Sequence, residues 1–559
     1  MISTRIRGRR LAGVLVAAAA ATTLLLSGCT AGDAGDAGGD AASGPLLTIP
    51  REDMGTFSQN FNPFSPNAAP MTQQAIYESM IIYNPADGST TPWLAESWEA
   101  SDDGLSLTFH LRDGVKWSDG EPFSAKDVAT TFGLQQKIVE GSFPYVSKVE
   151  AADDATVVFT FSEPFSPGLF EVGQQVIVPD HIWADQENPD KFENETPVGT
   201  GPYTEVSKFQ AQSFELLPNP EYWQQDKQNL PGVRMLAFAG NDGANLAAIN
   251  GDVDWAPQFM PDIQKTYVDR DPEHRHYWFP PTGAMINWQL NTTKPMFEDP
   301  QVRKALSLAV DREQVVKVGM SGYTEPADCS GLSGSYSTWK DESLLGSCDW
   351  IGHDPEKAGE MLDEAGFEAG ADGKRTTPDG EPFAFKISVG STSTDWLSVA
   401  NIISQDLADI GVTATVDAPD WAAVTAAYEQ GTFDTGIVWS DNAPTPYQYY
   451  RSLMSSETLK PVGEQTFSNY HRFSDPQADE LLDRFSAASD ETAQHEIVDQ
   501  LQALYSEVAP VVPLFPGPEW GAYTDTRFTG WPTEDDPYAT LATRSPTTVL
   551  VLTSLQPVD

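Results

Sequence analysis

The chain has 559 residues, with 81 acidic against 33 basic ones and a formal charge of −48 at pH 7. That balance excludes binding to nucleic acid or anionic lipid headgroups through a basic patch. A hydrophobic content of 40% with 15 tryptophans supports a large core, in about two to four domains.

Arg5, Arg7, Arg9 and Arg10 precede an apolar or small-residue run from Leu11 to Leu26, interrupted only by Thr22 and Thr23. The run is shorter than the roughly 20 residues needed to cross a bilayer core, so residues 1–28 read as a signal peptide. It ends in Leu26-Ser27-Gly28-Cys29, which resembles the bacterial lipobox. That resemblance implies cleavage before Cys29 and lipid attachment to it, an ordinary secretory signal with an incidental cysteine being the alternative. Residues 29–44 are nearly all Ala, Gly, Asp, Ser and Thr. They predict a flexible tether spanning about 20 Å above a membrane.

Downstream, strand and helix patterns alternate. Leu107, Phe109 and Leu111 alternate with polar residues, and Asp113-Gly114 then predicts a hairpin returning through Val115-Lys116-Trp117. Ser124-Ala125-Lys126-Asp127 is a capping-box variant opening a helix through Phe132, and 156–161 reads as a strand. Val198-Gly199-Thr200-Gly201-Pro202-Tyr203 marks a crossing between subdomains. Val302, Ala305, Leu306, Ala309 and Val310 fall at helical spacing. Asp354-Pro355 caps a helix that stops at Gly366. Further helices are predicted over 397–410 and 492–508, and 511–515 reads as a strand returning to an earlier sheet. The class is mixed α/β and α+β.

Cys329 and Cys348 lie 19 apart in a stretch rich in Gly, Ser and Asp. In an oxidising compartment they form a disulfide, the alternatives being two free thiols or a metal pair lacking its other ligands. His274 and His276 have no third ligand nearby, so no metal site is predicted. No zinc-protease, serine-hydrolase, phosphate-loop or dinucleotide motif occurs, and neither a catalytic residue nor a cofactor is assigned. An acid pair of the glycosidase kind has no positive support.

Aromatic residues beside Asn, Gln and Asp are the positive signal. Asn60-Phe61-Asn62-Pro63-Phe64 forms an extended, proline-stiffened loop. Trp278-Phe279, Trp288, Trp396, Trp421, Trp439 and Tyr447-x-Tyr449-Tyr450 follow. Flat rings with polar neighbours suit a peptide or a sugar face in a cleft, although most large rings in any protein are core.

The chain resembles the family 5 solute-binding proteins of ABC importers in an ordered series of segments. These are Pro92-Trp93-Leu94-Ala95-Glu96-Ser97-Trp98, then Trp117-Ser118-Asp119-Gly120-Glu121-Pro122-Phe123 through Val128. Val198 to Tyr203 and Asn219-Pro220-x-Tyr222-Trp223 come next. Val302-Arg303-Lys304-Ala305-Leu306-Ser307, Asp311-Arg312, Asp354-Pro355-Glu356-Lys357-Ala358 and Gly431-Thr432-Phe433-Asp434 complete it. The resemblance implies a two-lobed periplasmic-binding-protein-like fold with an extra subdomain inserted in lobe I. Lobe I would comprise 45–70, 199–284 and 513–559, with the insertion at 71–198, and lobe II would be 285–512.

It also implies a receptor that is no enzyme, carried as a monomer on the extracytoplasmic face of the cell membrane by a lipid anchor. Its partners would be permease and ATPase subunits and a small ligand, a short peptide or a β-linked oligosaccharide. Trp421 and Trp439 match cleft-lining tryptophans of the oligopeptide binders. In those proteins an aspartate after the second tryptophan pairs with the peptide's α-ammonium. Here Asp441 falls one residue early and Asn442 takes the aligned position, while Tyr428 stands where some relatives carry arginine. Phe61, Asn62 and Trp288 complete the predicted ligand-binding set. A secreted hydrolase is the alternative of another class, and would need a carboxylate or Ser/His constellation in the cleft.

Overall fold

The computed structural model describes residues 44–139, 142–440 and 442–558, so the signal peptide, Cys29, all but the last residue of the tether, and Asp441 lie outside them. Two four-stranded sheets form in the first half of the chain. In one, Leu47–Arg51 pairs in parallel with Val233–Ala237, which continues antiparallel through Ser213–Pro218 to Tyr203–Gln210. In the other, Ala95–Ala100, Ser106–Leu111, Thr156–Phe161 and Val146–Ala151 lie side by side, all antiparallel. Period-two alternation puts Leu107, Phe109, Leu111, Val157, Phe159 and Phe161 on the buried face of the second sheet. Helix Ala125–Ile138 packs there, its entry fixed by the Ser124 N–H donating to the Asp127 carboxylate at 2.7 Å.

The predicted hairpin at Asp113-Gly114 is not what forms. Both edges of Ser106–Leu111 are taken by Ala95–Ala100 and Thr156–Phe161. Val115 and Trp117 instead turn their side chains into the core, while their backbones pair with Phe123 and Glu121 across a short turn around the Lys116–Pro122 bridge. Gly199 and Gly201 lie flat on the turn at 72–76, where a Cβ would fall 1.9 Å from the Ile76 carbonyl and 2.3 Å from that of Ala75. No other residue fits that approach.

The second half is built on a five-stranded sheet in the order Thr413–Asp417, Ala384–Ser388, Thr435–Trp439, Pro281–Leu290, Val512–Pro518. Helices Pro300–Ala309, Pro355–Glu364 and Thr394–Asp409 bury Leu306, Leu362 and Ile403 with Ile387, Ile437 and Leu514 of the sheet in one apolar cluster. The Asp354 carboxylate accepts from the Lys357 N–H as the predicted cap, and Gly366 adopts φ +84° just past the helix end.

The strand foreseen at 511–515 is present as Val512–Pro518, but it pairs with Pro281–Leu290 inside this sheet. The return to the first half comes one strand later, where Ala522–Thr524 inserts between Trp255–Ala256 and Arg275–Tyr277. The antiparallel pair Pro281–Leu290 and Val512–Pro518 is thus where the chain enters and leaves the second lobe, and the fold is mixed α and β in two lobes.

Candidate functional site

A cavity of about 710 Å³ lies beside strand Thr435–Trp439 and the Pro518 end of Val512–Pro518. Its wall draws on segments from before and after the second lobe as well as from within it: residues 52–53, Tyr83, Pro85 and 257–259 before it, residues within 392–396 and 421–439 with Asn442 inside it, and 518–520 and 542–546 towards the chain end. Of the predicted ligand-binding residues, Trp421, Tyr428, Trp439 and Asn442 are brought together here.

Each ring is held by its neighbours. The Trp421 Nε1–H donates to the Ser393 hydroxyl at 3.2 Å, and its indole lies over Gly390 and edge-on to Trp396 at 5.6 Å. Trp439, at the end of strand Thr435–Trp439, rests on Gly517 and leaves 38% of its surface exposed. Tyr428 is 4% exposed, with its hydroxyl donating to the Ser388 carbonyl at 2.6 Å. Its ring therefore shapes the wall while its polar end serves the fold. Burial raises its pKa further above the ordinary phenol value.

Phe61, Asn62 and Trp288 lie elsewhere. Phe61 is fully buried, edge-to-face with Phe214 at 5.5 Å and Phe209 at 6.3 Å. Asn62 is equally buried, and its amide donates to the Pro189 and Phe192 carbonyls at 2.7 and 2.9 Å, tying the loop to the inserted subdomain. Trp288 faces the second lobe's core beside Phe385. None lines the cavity, because apolar burial outweighs the exposure a binding role needs. Tyr447, Tyr449 and Tyr450 are core residues as well. Cys329 and Cys348 are present as thiols rather than as a disulfide, yet the Cys329 side chain hydrogen-bonds that of Cys348. That contact brings the Cys348 pKa down to about 7 and pushes that of Cys329 up.

The sequence reading missed most of the polar wall. Glu52, Asp53, Asp395, Glu519 and Arg544 all line the cavity, as do Trp520, Tyr83 and Phe259. Trp520 sits in a ring cluster with Phe279 at 4.9 Å and Phe259 at 5.2 Å. Burial pushes Glu519 up to about 7, against a hydrogen bond from Thr540, and pushes Asp395 up to about 6. Burial acts on Asp53 too, but Arg544 and Arg51 hold it below the usual carboxylate range.

The paired histidines share one acceptor. His274 and His276 both reach Asp525, at 2.8 and 3.2 Å. Among the described residues no group of three or more His, Cys, Asp or Glu is placed to hold a metal, and no helix is long and apolar enough to cross a membrane.

Residues 89–460, more than half of the chain, match the bacterial extracellular solute-binding proteins, family 5. The chain is 26% identical over 476 residues to heme-binding protein A of Haemophilus influenzae, covering 79% of this chain and 82% of that one. It is 26% identical over 465 residues to the nickel-binding periplasmic protein of Escherichia coli, covering 80% and 83%. Its fold is similar to that of the mannohexaose-bound periplasmic oligopeptide-binding protein of Thermotoga maritima, with a TM-score of 0.82 at 25% identity over 92% of this chain and 98% of that one. The oligopeptide-binding protein AppA of Bacillus subtilis, in complex with a nonapeptide, shares the fold with a TM-score of 0.78 at 20% identity over 92% and 99%. The chain belongs to the bacterial extracellular solute-binding proteins, family 5.

Proposed function

We propose that this protein captures short peptides in the cavity and delivers them, unchanged, to an ABC permease driven by a separate ATPase. Its lipid anchor would be Cys29, at the extracytoplasmic face of the membrane, with a monomeric body on the 29–44 tether. One observation carries the reading: a single cavity whose wall combines indole rings with carboxyls and comes from both lobes. A ligand there touches both lobes only when they are closed. Differential affinity therefore shifts the population to the closed form, which is the form a permease recognises. Export would place Cys329 and Cys348 where an envelope oxidant takes two electrons and two protons from the touching thiols and leaves a disulfide.

The lobe limits follow the same reading, with lobe II ending after Val512–Pro518 rather than at 512. A second reading, β-linked oligosaccharides, is favoured by the exposed face of Trp439 and the paired indoles of Trp396 and Trp421. A thermal-shift screen of the mature protein against short peptides and cello-, xylo- and laminari-oligosaccharides separates the two. A ligand at 100 times its Kd adds about 2.7 kcal/mol. Stabilisation by peptides is the expected result; stabilisation by sugars alone overturns the peptide reading, and product formation overturns the receptor.

A further inference from the structure

The charge in the cavity wall is out of balance. Among the described residues, four carboxyls, of Glu52, Asp53, Asp395 and Glu519, face one guanidinium, that of Arg544, and no lysine or histidine lines the wall. Arg544 is already paired, with Asp53 at 2.6 Å and with Glu52 at 3.4 Å. Asp395 and Glu519 have no cation within ion-pair distance among the described residues.

Both are poorly served by the protein. Asp395 is 5% exposed, and the Glu52 charge nearby opposes its own. It sits in the first turn of helix Thr394–Asp409, where the Trp396 N–H supports its charged form. Glu519 takes a hydrogen bond from Thr540, but its buried Oε2 has no donor. A buried carboxylate without a partner is costly, and a cation that supplies both charge and N–H donors removes that cost. A sugar hydroxyl supplies a donor but no charge. The indoles of Trp396, Trp421, Trp439 and Trp520 line the same space, and indole faces attract ammonium and guanidinium groups.

We propose that the cleft selects basic peptides: a free amino terminus and one lysine- or arginine-type side chain occupy the Asp395 and Glu519 carboxyls, one cation to each. This rests on the peptide reading above and adds the charge of the cargo. It also supplies a place for the ammonium in a chain where Asn442, rather than an acid, follows Trp439 at the aligned position.

The test is calorimetric titration of the mature protein at low salt with three tetrapeptides, Ala-Ala-Ala-Ala, Ala-Lys-Ala-Ala and Ala-Glu-Ala-Ala, and with cellopentaose. The lysine peptide should bind about tenfold or more tighter than the alanine peptide, and the glutamate peptide weaker than either. Glu519→Gln and Asp395→Asn should each bring the lysine-to-alanine affinity ratio towards one. Equal affinity for the three peptides, or preference for glutamate, overturns the charge selection and leaves the peptide reading intact. Binding of cellopentaose with no peptide bound overturns both. Should a variant fail to fold, the three-peptide series on the unaltered protein still decides; should both variants fold and keep the ratio, the two carboxyls are not the site.

Discussion

Trp421 owes its place in the cavity wall to a residue without a side chain. A Cβ on Gly390 would lie 2.3 Å from the indole, so Gly390→Ala must expel the ring. Ligand affinity should fall about as far as in Trp421→Ala, roughly tenfold, with a small change in Tm, read by titration and a melting curve. His471 belongs to the same scale. It is fully buried, and burial, with Arg303 and Arg472 nearby and against a backbone hydrogen bond at Leu453, lowers its pKa to about 3. The folded state thus refuses a proton that the unfolded chain takes up near 6.5. Its stability is present above that value and is lost as the pH falls towards 3, by about 1 kcal/mol per pH unit. His471→Phe should flatten that part of a denaturation-against-pH profile; an unchanged slope would show that His471 does not set it.

Among the elements, the family motifs prove to be supports of the fold. Arg303 donates to the carbonyls of Phe297, Glu298 and Ala509, each at 2.7 Å, and Arg312 to those of Pro513, Ser307 and Ile351 at 2.8 to 3.0 Å. Among the described residues neither has a carboxylate in ion-pair contact, and burial brings both pKa values down to about 10. Arg303 fastens helix Pro300–Ala309 to the segment at Ala509, and Arg312 ties the Ser307 end of that helix to strand Val512–Pro518 and to Ile351, each satisfying carbonyls that would otherwise be buried unpaired. Arg303→Met should cost about 3 kcal/mol or more in urea unfolding, and Arg303→Lys should rescue little, since one ammonium cannot present the guanidinium's fork. Two further motifs meet at Glu78, whose buried carboxyl accepts from Trp93 Nε1 at 2.7 Å, Trp223 Nε1 at 3.1 Å and the Tyr222 hydroxyl at 3.4 Å. The segments at 92–98 and 219–223 therefore read as one structural joint.

Across the whole molecule, the lobes also touch each other directly. The Ser166 N–H donates to the Ser486 carbonyl at 2.7 Å, and the Tyr83 hydroxyl to that of Ala443 at 3.3 Å. Phe165 stacks on Tyr145 at 3.8 Å and meets the edge of Tyr447 at 6.4 Å. These contacts join the inserted subdomain to the helices Tyr447–Met454 and Pro476–Ala487. Phe165→Ala should shift the unliganded protein towards an open form, raising its radius of gyration in solution scattering and lowering apparent ligand affinity several-fold. An unchanged radius and affinity would show that the rings are packing and not a latch. Cys348→Ser should lower stability by about 3 kcal/mol in oxidised protein and leave reduced protein unchanged.

Local chemistry was enough for the caps at Ser124 and Asp354 and for the helices at 300–309, 355–364, 394–409 and 491–508, because apolar periodicity, proline and capping residues act within a turn or two. The family came from the ordered series of motifs, and the resemblance pointed to Trp421 and Trp439, which both lie in the cavity wall. Which rings face the cavity and which face core depended on packing between segments hundreds of residues apart. Phe61 and Trp288 have the composition of binding residues and the neighbours of core ones. Glu519 and Asp395 carry no motif at all. Only the closing of two lobes around Pro281–Leu290 and Val512–Pro518 puts their carboxyls in one cavity wall, since pairing between strands so far apart in sequence is decided by the assembled sheet.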